Sequence, residues 1–258
     1  MLLTASSGDA SENRVRDRAD TAAFWRTTYI GMDGGVQGVT CMPDVPSPES
    51  APLFPVAYLI ELDPRSVLAQ HFHRANQFQI FVRGDGRLGK HAVDSVFVHY
   101  ANAYSAYGPI HAGDRGLHFF TLRDAWDPGA RFLPEAVGEL RAARGHPRQA
   151  YAGPASITPD EDLRRATAVS SASLLESGSD GLGAWRHRLP AGASSGGPDP
   201  RGGGGQFWLV LAGTLQRSQG DPLPPLSCAF VSSDDVPFVA TAGPGGAEIL
   251  CLQFARRP

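Results

Sequence analysis

The sequence predicts an all-β protein built as two similar β-barrels joined by a short helical linker. Thirty glycines and 21 prolines in 258 residues suit short strands and tight turns rather than long helices. Alternating runs rich in aromatic and β-branched residues recur, separated by turn residues. The chain then echoes itself at a nearly constant offset. With 42% hydrophobic and 19% charged residues it can bury a substantial core, so wholesale disorder is not expected.

Taken in order, residues 1–22 are polar and charged and are expected to form a mobile arm. A first barrel follows over 23–128, with strands read at VAYLIEL (56–62), QFQIFVRG (77–84), SVFVHY (95–100) and GLHFFTLR (116–123). RFLPEAVGELRAARG (131–145) reads as a helix, with good helix formers and a glycine stop, inside a linker over 129–178. A second barrel is expected over 179–258. There QFWLVLAGTL (206–215) echoes QFQIFVRGDGRL (77–88), and ATAGPGGAEILCLQ (240–253) echoes IHAGDRGLHFFTLR (110–123). The two matches lie 129 and 130 residues apart, so one internal duplication explains both.

The formal charge of −3 argues against a nucleic-acid surface, which needs a concentrated basic patch. Three scattered cysteines (Cys41, Cys228, Cys251) give neither a disulfide framework nor a thiolate zinc site, and read as buried apolar residues. The N-terminal apolar run is too short for a signal peptide, and no stretch approaches 18 apolar residues. A cytoplasmic protein with a small-molecule substrate is expected, with neither a nucleic acid nor a membrane as partner; a homodimer is the assembly considered. The run 202–205 (GGGG) lacks the residues of a phosphate loop and reads as a turn.

Chemistry concentrates in His71-Phe72-His73, followed by Gln77 and Gly84. Side chains alternate along a strand, so His71 and His73 point to one face and can share a metal ion. Gln77, Gln79 and Phe81 share that parity: Gln77 is a candidate ligand, Gln79 and Phe81 candidate substrate-binding residues. Packing is the blander role for Phe81, and for Gln77 orientation of a histidine or water. His91, His99, His118, His146 and His187 lack ligand spacing and read as surface or structural residues. In the second half the positions matching His71, His73 and His111 are Pro200, Gly202 and Thr241, so the repeat keeps a scaffold without imidazoles.

This pattern resembles the cupin superfamily, and the duplication resembles a bicupin. The family's first motif, G-x5-H-x-H-x3,4-E-x6-G, is met by His71, His73 and Gly84, with Gln77 in the glutamate place and Arg65 in that of the first glycine. The second motif, G-x5-P-x-G-x2-H-x3-N, is met loosely by 106–115: Gly108 and His111 fit, while Ala106 and Arg115 replace the proline and asparagine. A second register places Tyr107 in the histidine position and His111 in the asparagine position.

The resemblance implies jelly-roll (double-stranded β-helix) barrels and one metal site, in the N-terminal barrel, with His71, His73, Gln77 and His111 as ligands. Tyr107 is the candidate catalytic acid or hydrogen-bond donor beside them. One divalent transition metal is implied, Fe(II) first, with Zn, Ni, Mn or Cu as alternatives. The leading activity is an Fe(II)-type dioxygenase. A non-redox isomerase or lyase, and a non-catalytic metabolite-binding barrel, are the alternatives.

Overall fold

The computed structural model describes residues 1–31, 55–143, 145–217 and 220–256. Cys41 lies outside these residues. The chain divides into two compact units, one of residues 13–155 and one of residues 1–12 with 156–258. Among the described residues no helix is long and apolar enough to cross a membrane.

The arm expected over 1–22 is instead strand. Leu2–Ala5 (β1) pairs antiparallel with residues 228–231, and Arg14–Ala19 (β2) opens the other unit. Edge strands carry unpaired backbone groups, and both segments supply partners for them. Val15, Asp17 and their neighbours pair along Ala22–Ile30 (β3), where Arg26 donates to Asp17 at 3.0 Å in a buried ion pair. Arg14 stacks on Trp25, 4.2 Å from the ring centroid.

The rest of unit 13–155 runs through Val56–Leu62 (β4), Val67–Leu68 (β5), His71–Phe72 (β6), Gln77–Leu88 (β7), His91–Val93 (β8), Phe97–Ala101 (β9) and Ile110–Arg123 (β10). Arg131–Phe132 (β11) and Gln149–Ala152 (β12) complete it. The main sheet has the order β12-β9-β7-β10-β4-β3-β2, with β6 and β11 as a separate pair. Inward-facing Tyr58, Ile60, Phe81, Phe97, Leu117 and Phe119 form its core. A buried ring of this size contributes about 2 kcal/mol relative to exposure.

The helix read over 131–145 shrinks to Val137–Ala142 (α2), because Pro134 supplies no N–H and Ala136 offers no side-chain cap. The text before it is β11, and the segment beyond it holds β12, so the linker belongs partly to this unit.

In the other unit Ser7–Ala10 (α1) follows β1, and Asp160–Arg165 (α3) precedes Ser170–Leu175 (β13). Gly183–Leu189 (β14), Ser194–Gly196 (β15), Gln206–Leu215 (β16), Cys228–Val231 (β17) and Val239–Gln253 (β18) follow. The order β1-β17-β16-β18-β14-β13 repeats β12-β9-β7-β10-β4-β3 position for position. Paired glycines mark the same close approach in each. Gly84 has φ +88°, and a Cβ there would meet Gly116 O at 2.1 Å; Gly213 has φ +67°, and a Cβ would meet Gly246 O at 2.1 Å.

Candidate functional site

Strand parity places His71 and His73 together, and Phe72 between them is wholly buried. The imidazoles lie 5.3 Å apart, nearly perpendicular. Tyr107 is fastened to this segment through the backbone: His71 N–H donates to Tyr107 O at 3.1 Å and Tyr107 N–H returns to His71 O at 3.0 Å. Its ring centre is 4.5 Å from that of His71.

Each imidazole has one nitrogen committed. Nδ1 of His71 is 2.7 Å from Ala69 O, a group that only accepts, so Nδ1 carries the hydrogen and Nε2 the lone pair. Burial, and then the neighbouring His73, push His71 down to about 3, so its ring is neutral near pH 7. Nδ1 of His73 is 2.7 Å from Asp127 Oδ1. Asp127 also accepts from the Arg74 and Gly129 amides at 2.7 and 2.8 Å. Burial opposes its ionisation, but His73, Arg123 and these donors win, holding the carboxyl well below the usual range.

Arg123, at the end of β10, is 1% exposed. Its Nη2 is 3.1 Å from both ring nitrogens of His73, a position over the face of the imidazole rather than along the Nε2 lone pair. Its Nε donates to Gln77 Oε1 at 3.3 Å, and Gln77 Nε2 donates to Tyr107 Oη. Burial drives the Tyr107 phenol upward, so it stays protonated.

Beyond Tyr107 the bonds continue through Gln79 and His99. Gln149 donates to Ala106 O at 2.9 Å, which turns its Oε1 toward His99 Nε2, 3.2 Å away. Burial lowers His99 to about 3, so it is neutral and donates from Nε2 only. In the structure Gln79 Nε2 faces the Tyr107 hydroxyl at 3.5 Å and its Oε1 faces His99 Nδ1 at 2.9 Å. Because a neutral Nε2–H ring must accept at Nδ1, we assign this amide the turned-over orientation, NH2 toward His99 and oxygen toward the Tyr107 hydroxyl. Every donor in the chain from Arg123 to Gln149 therefore points away from the guanidinium. Such alignment polarises successive bonds in the same sense.

Of these groups His71, His73, Gln79, Tyr107 and Arg123 border a cavity of about 830 Å³ that is also lined by Tyr58, Phe119, Thr121 and Phe132. It lies entirely within residues 13–155.

No protein-family model matches the chain, and no curated protein does. Solved structures do. A protein of Nostoc punctiforme to which dioxygenase activity is provisionally ascribed matches with a TM-score of 0.61 at 10% identity, over 98% of this chain and 82% of that one. The nickel(II) complex of the bacterial pirin YhhW from Escherichia coli matches with a TM-score of 0.55 at 10% identity, over 100% of both chains. The coconut allergen cocosin matches with a TM-score of 0.50 at 13% identity, over 99% of this chain and 86% of that one. The fold is that of the bicupins. An enzyme-like protein and an allergen share it, so the fold leaves activity open.

Within this fold, His71, His73, Gln77, Gln79 and Tyr107 come together in one barrel. His111 does not join them: it is exposed, opposite Val67 and Arg87, while Ile110 and Ala112 on either side face inward. Tyr107 lies beside the imidazoles, its ring centre 4.5 Å from that of His71. Phe81 packs against Phe97 and Phe119 in the core and does not line the cavity. His99, read as surface or structural, is fully buried and hydrogen-bonded into the site's network.

Sequence reasoning missed Arg123 and Asp127. One signal pointed to Arg123: it continues the inward parity of Phe119 and Thr121, so a charge falls where a barrel strand is expected to bury its side chain.

The donor chemistry of the two imidazoles fits a divalent ion, since each Nδ1 is held by an acceptor and coordination falls to Nε2. Gln77 and Tyr107 would complete the set as neutral oxygen donors. No three His, Cys, Asp or Glu side chains gather as a ligand group among the described residues. Arg123 lies over the His73 ring, so a metal bound at Nε2 would sit close to a guanidinium.

Proposed function

We propose that the barrel of residues 13–155 is the active site of a metal-dependent cupin enzyme acting on a small organic molecule. The carrying observation is the tautomeric commitment of His71 and His73, each with Nδ1 bound to an acceptor. His71 and His73 would hold the ion and Gln77 and Tyr107 would adjoin it, Fe(II) ranking before Zn, Ni, Mn or Cu. When bound, the ion supplies Lewis acidity and, as Fe(II), one-electron chemistry with dioxygen. Dioxygenase chemistry is the leading activity. Around it, Asp127 fixes the His73 ring, Arg123 supplies permanent positive charge, and Gln79 and Thr121 offer polar contacts in a cavity otherwise walled by Tyr58, Phe119 and Phe132. That combination favours an organic anion.

One observation favours a non-redox isomerase or lyase as the second reading: the Tyr107 hydroxyl is kept protonated beside Arg123 and Gln77, where it can stabilise an enolate oxygen. Anaerobic reconstitution with Fe(II), followed by oxygen uptake over a panel of small aromatic and aliphatic acids, separates the readings. Substrate-dependent uptake supports the dioxygenase. Turnover without oxygen supports the isomerase or lyase, and saturable binding without turnover by either route returns the barrel to a metabolite-binding role.

A further inference from the structure

The pair Gln77–Arg123 has a counterpart that isolates what the arginine adds. Gln77 and Arg123 are register partners across β7 and β10; Gln206 and Gln253 are register partners across β16 and β18. In the second barrel Gln206 Nε2 donates to Gln253 Oε1 at 2.8 Å, and Gln253 Nε2 to Gly181 O at 2.7 Å, both glutamines being buried. The scaffold thus closes this position with a neutral pair. A guanidinium there is a property of the first barrel, not a requirement of the fold.

Arg123 touches two of the side chains expected to hold the ion, His73 through Nη2 and Gln77 through Nε. Its charge is balanced by Asp127, 3.7 Å from Nη1, and its guanidinium lies 5.3 Å from the centre of the Tyr58 ring. Burying a cation needs such compensation, and the site has been built around it. We infer that the Arg123 guanidinium is the resident cation of this site and opposes the loading of a divalent metal on the adjoining His73 and Gln77. Metal loading then places one cation beside another. It must set a divalent charge close to a monovalent one, a repulsion that low-dielectric surroundings strengthen. The inference rests on the metal-dependent reading of the same site.

The test is calorimetric titration of the purified full chain with Ni(II) and Zn(II), comparing the parent with Arg123→Gln. This substitution installs the pair that the second barrel already uses. The expected result is affinity raised by about tenfold or more in Arg123→Gln, with the gain removed by adding His73→Ala. Equal affinity in parent and variant overturns the opposition and leaves the metal reading standing. Binding in neither overturns both. If Arg123→Gln does not fold, ¹⁵N spectra of the parent decide. Zn(II) should shift the Arg123 Nε and His73 Nε2 signals together, and an Arg123 signal unmoved at saturation overturns the inference.

Discussion

His71 and Tyr107 are locked to each other by a reciprocal pair of backbone hydrogen bonds, 3.1 and 3.0 Å long, that sets their rings edge to face with centres 4.5 Å apart. This bridge makes Tyr107, rather than a third histidine, the next neighbour of the imidazole pair. His111, four residues on, is carried to the exposed side of β10. His111→Ala should therefore change stability by no more than about 0.5 kcal/mol and leave metal affinity untouched. Denaturant unfolding and metal titration check both. A loss of metal binding in this variant would restore His111 to the site.

Tyr107→Phe keeps the ring and removes the oxygen that the Gln77 amide donates to. Gln77 and Gln79 are buried, so their amides lose a partner without gaining water. The variant should lose about 1–3 kcal/mol in urea unfolding. An unchanged midpoint would mean that the hydroxyl carries no part of the network.

The buried histidines set a pH dependence. His71 and His99 are both lowered to about 3 by burial, whereas unfolded histidine titrates near about 6.5. Between these limits the unfolded chain binds more protons than the folded one, so stability is present above pH ~6.5 and falls with acidification toward pH ~3. The two groups together give a slope approaching about 2.7 kcal/mol per pH unit in the lower part of that window. Asp127, held low, adds its own loss only below the ordinary carboxylate range, as pH falls toward its folded value. Urea midpoints from pH 7 to 4 measure this. His99→Gln should reduce the slope by one proton, and a slope equal to the parent's would contradict burial as its cause.

Neutral His99 should be the Nε2–H tautomer, because Gln149 is oriented by Ala106 O and presents an oxygen to Nε2. Long-range ¹H–¹⁵N spectra distinguish the tautomers directly. An Nδ1–H ring, or an imidazolium at pH 7, would refute the directional chain from Arg123.

Much of this fold was legible in local sequence. VAYLIEL coincides with β4, and QFWLVLAGTL coincides with β16, because apolar β-formers bounded by turn residues leave little choice. His71 and His73 were legible for a similar reason, since strand parity alone sets them on one face. Arg123, Asp127 and His99 were not. Each acts through a partner brought in by the sheet, with His73 and Arg123 separated by 50 residues and His73 and Asp127 by 54. The arm of residues 1–12 misled because its polar text gives no sign that β17 has an edge to cover. The 131–145 helix misled because Pro134 interrupts otherwise helical composition.

The central claim is that His71 and His73 hold a metal ion in the first barrel. Metal content of the full chain after anaerobic reconstitution with excess Fe(II) and desalting tests it most directly, alongside His71→Ala and His73→Ala. About one equivalent per parent chain is expected, with near-complete loss in each variant that remains folded by circular dichroism. Equal metal content in parent and variants, or none in the parent, would contradict it.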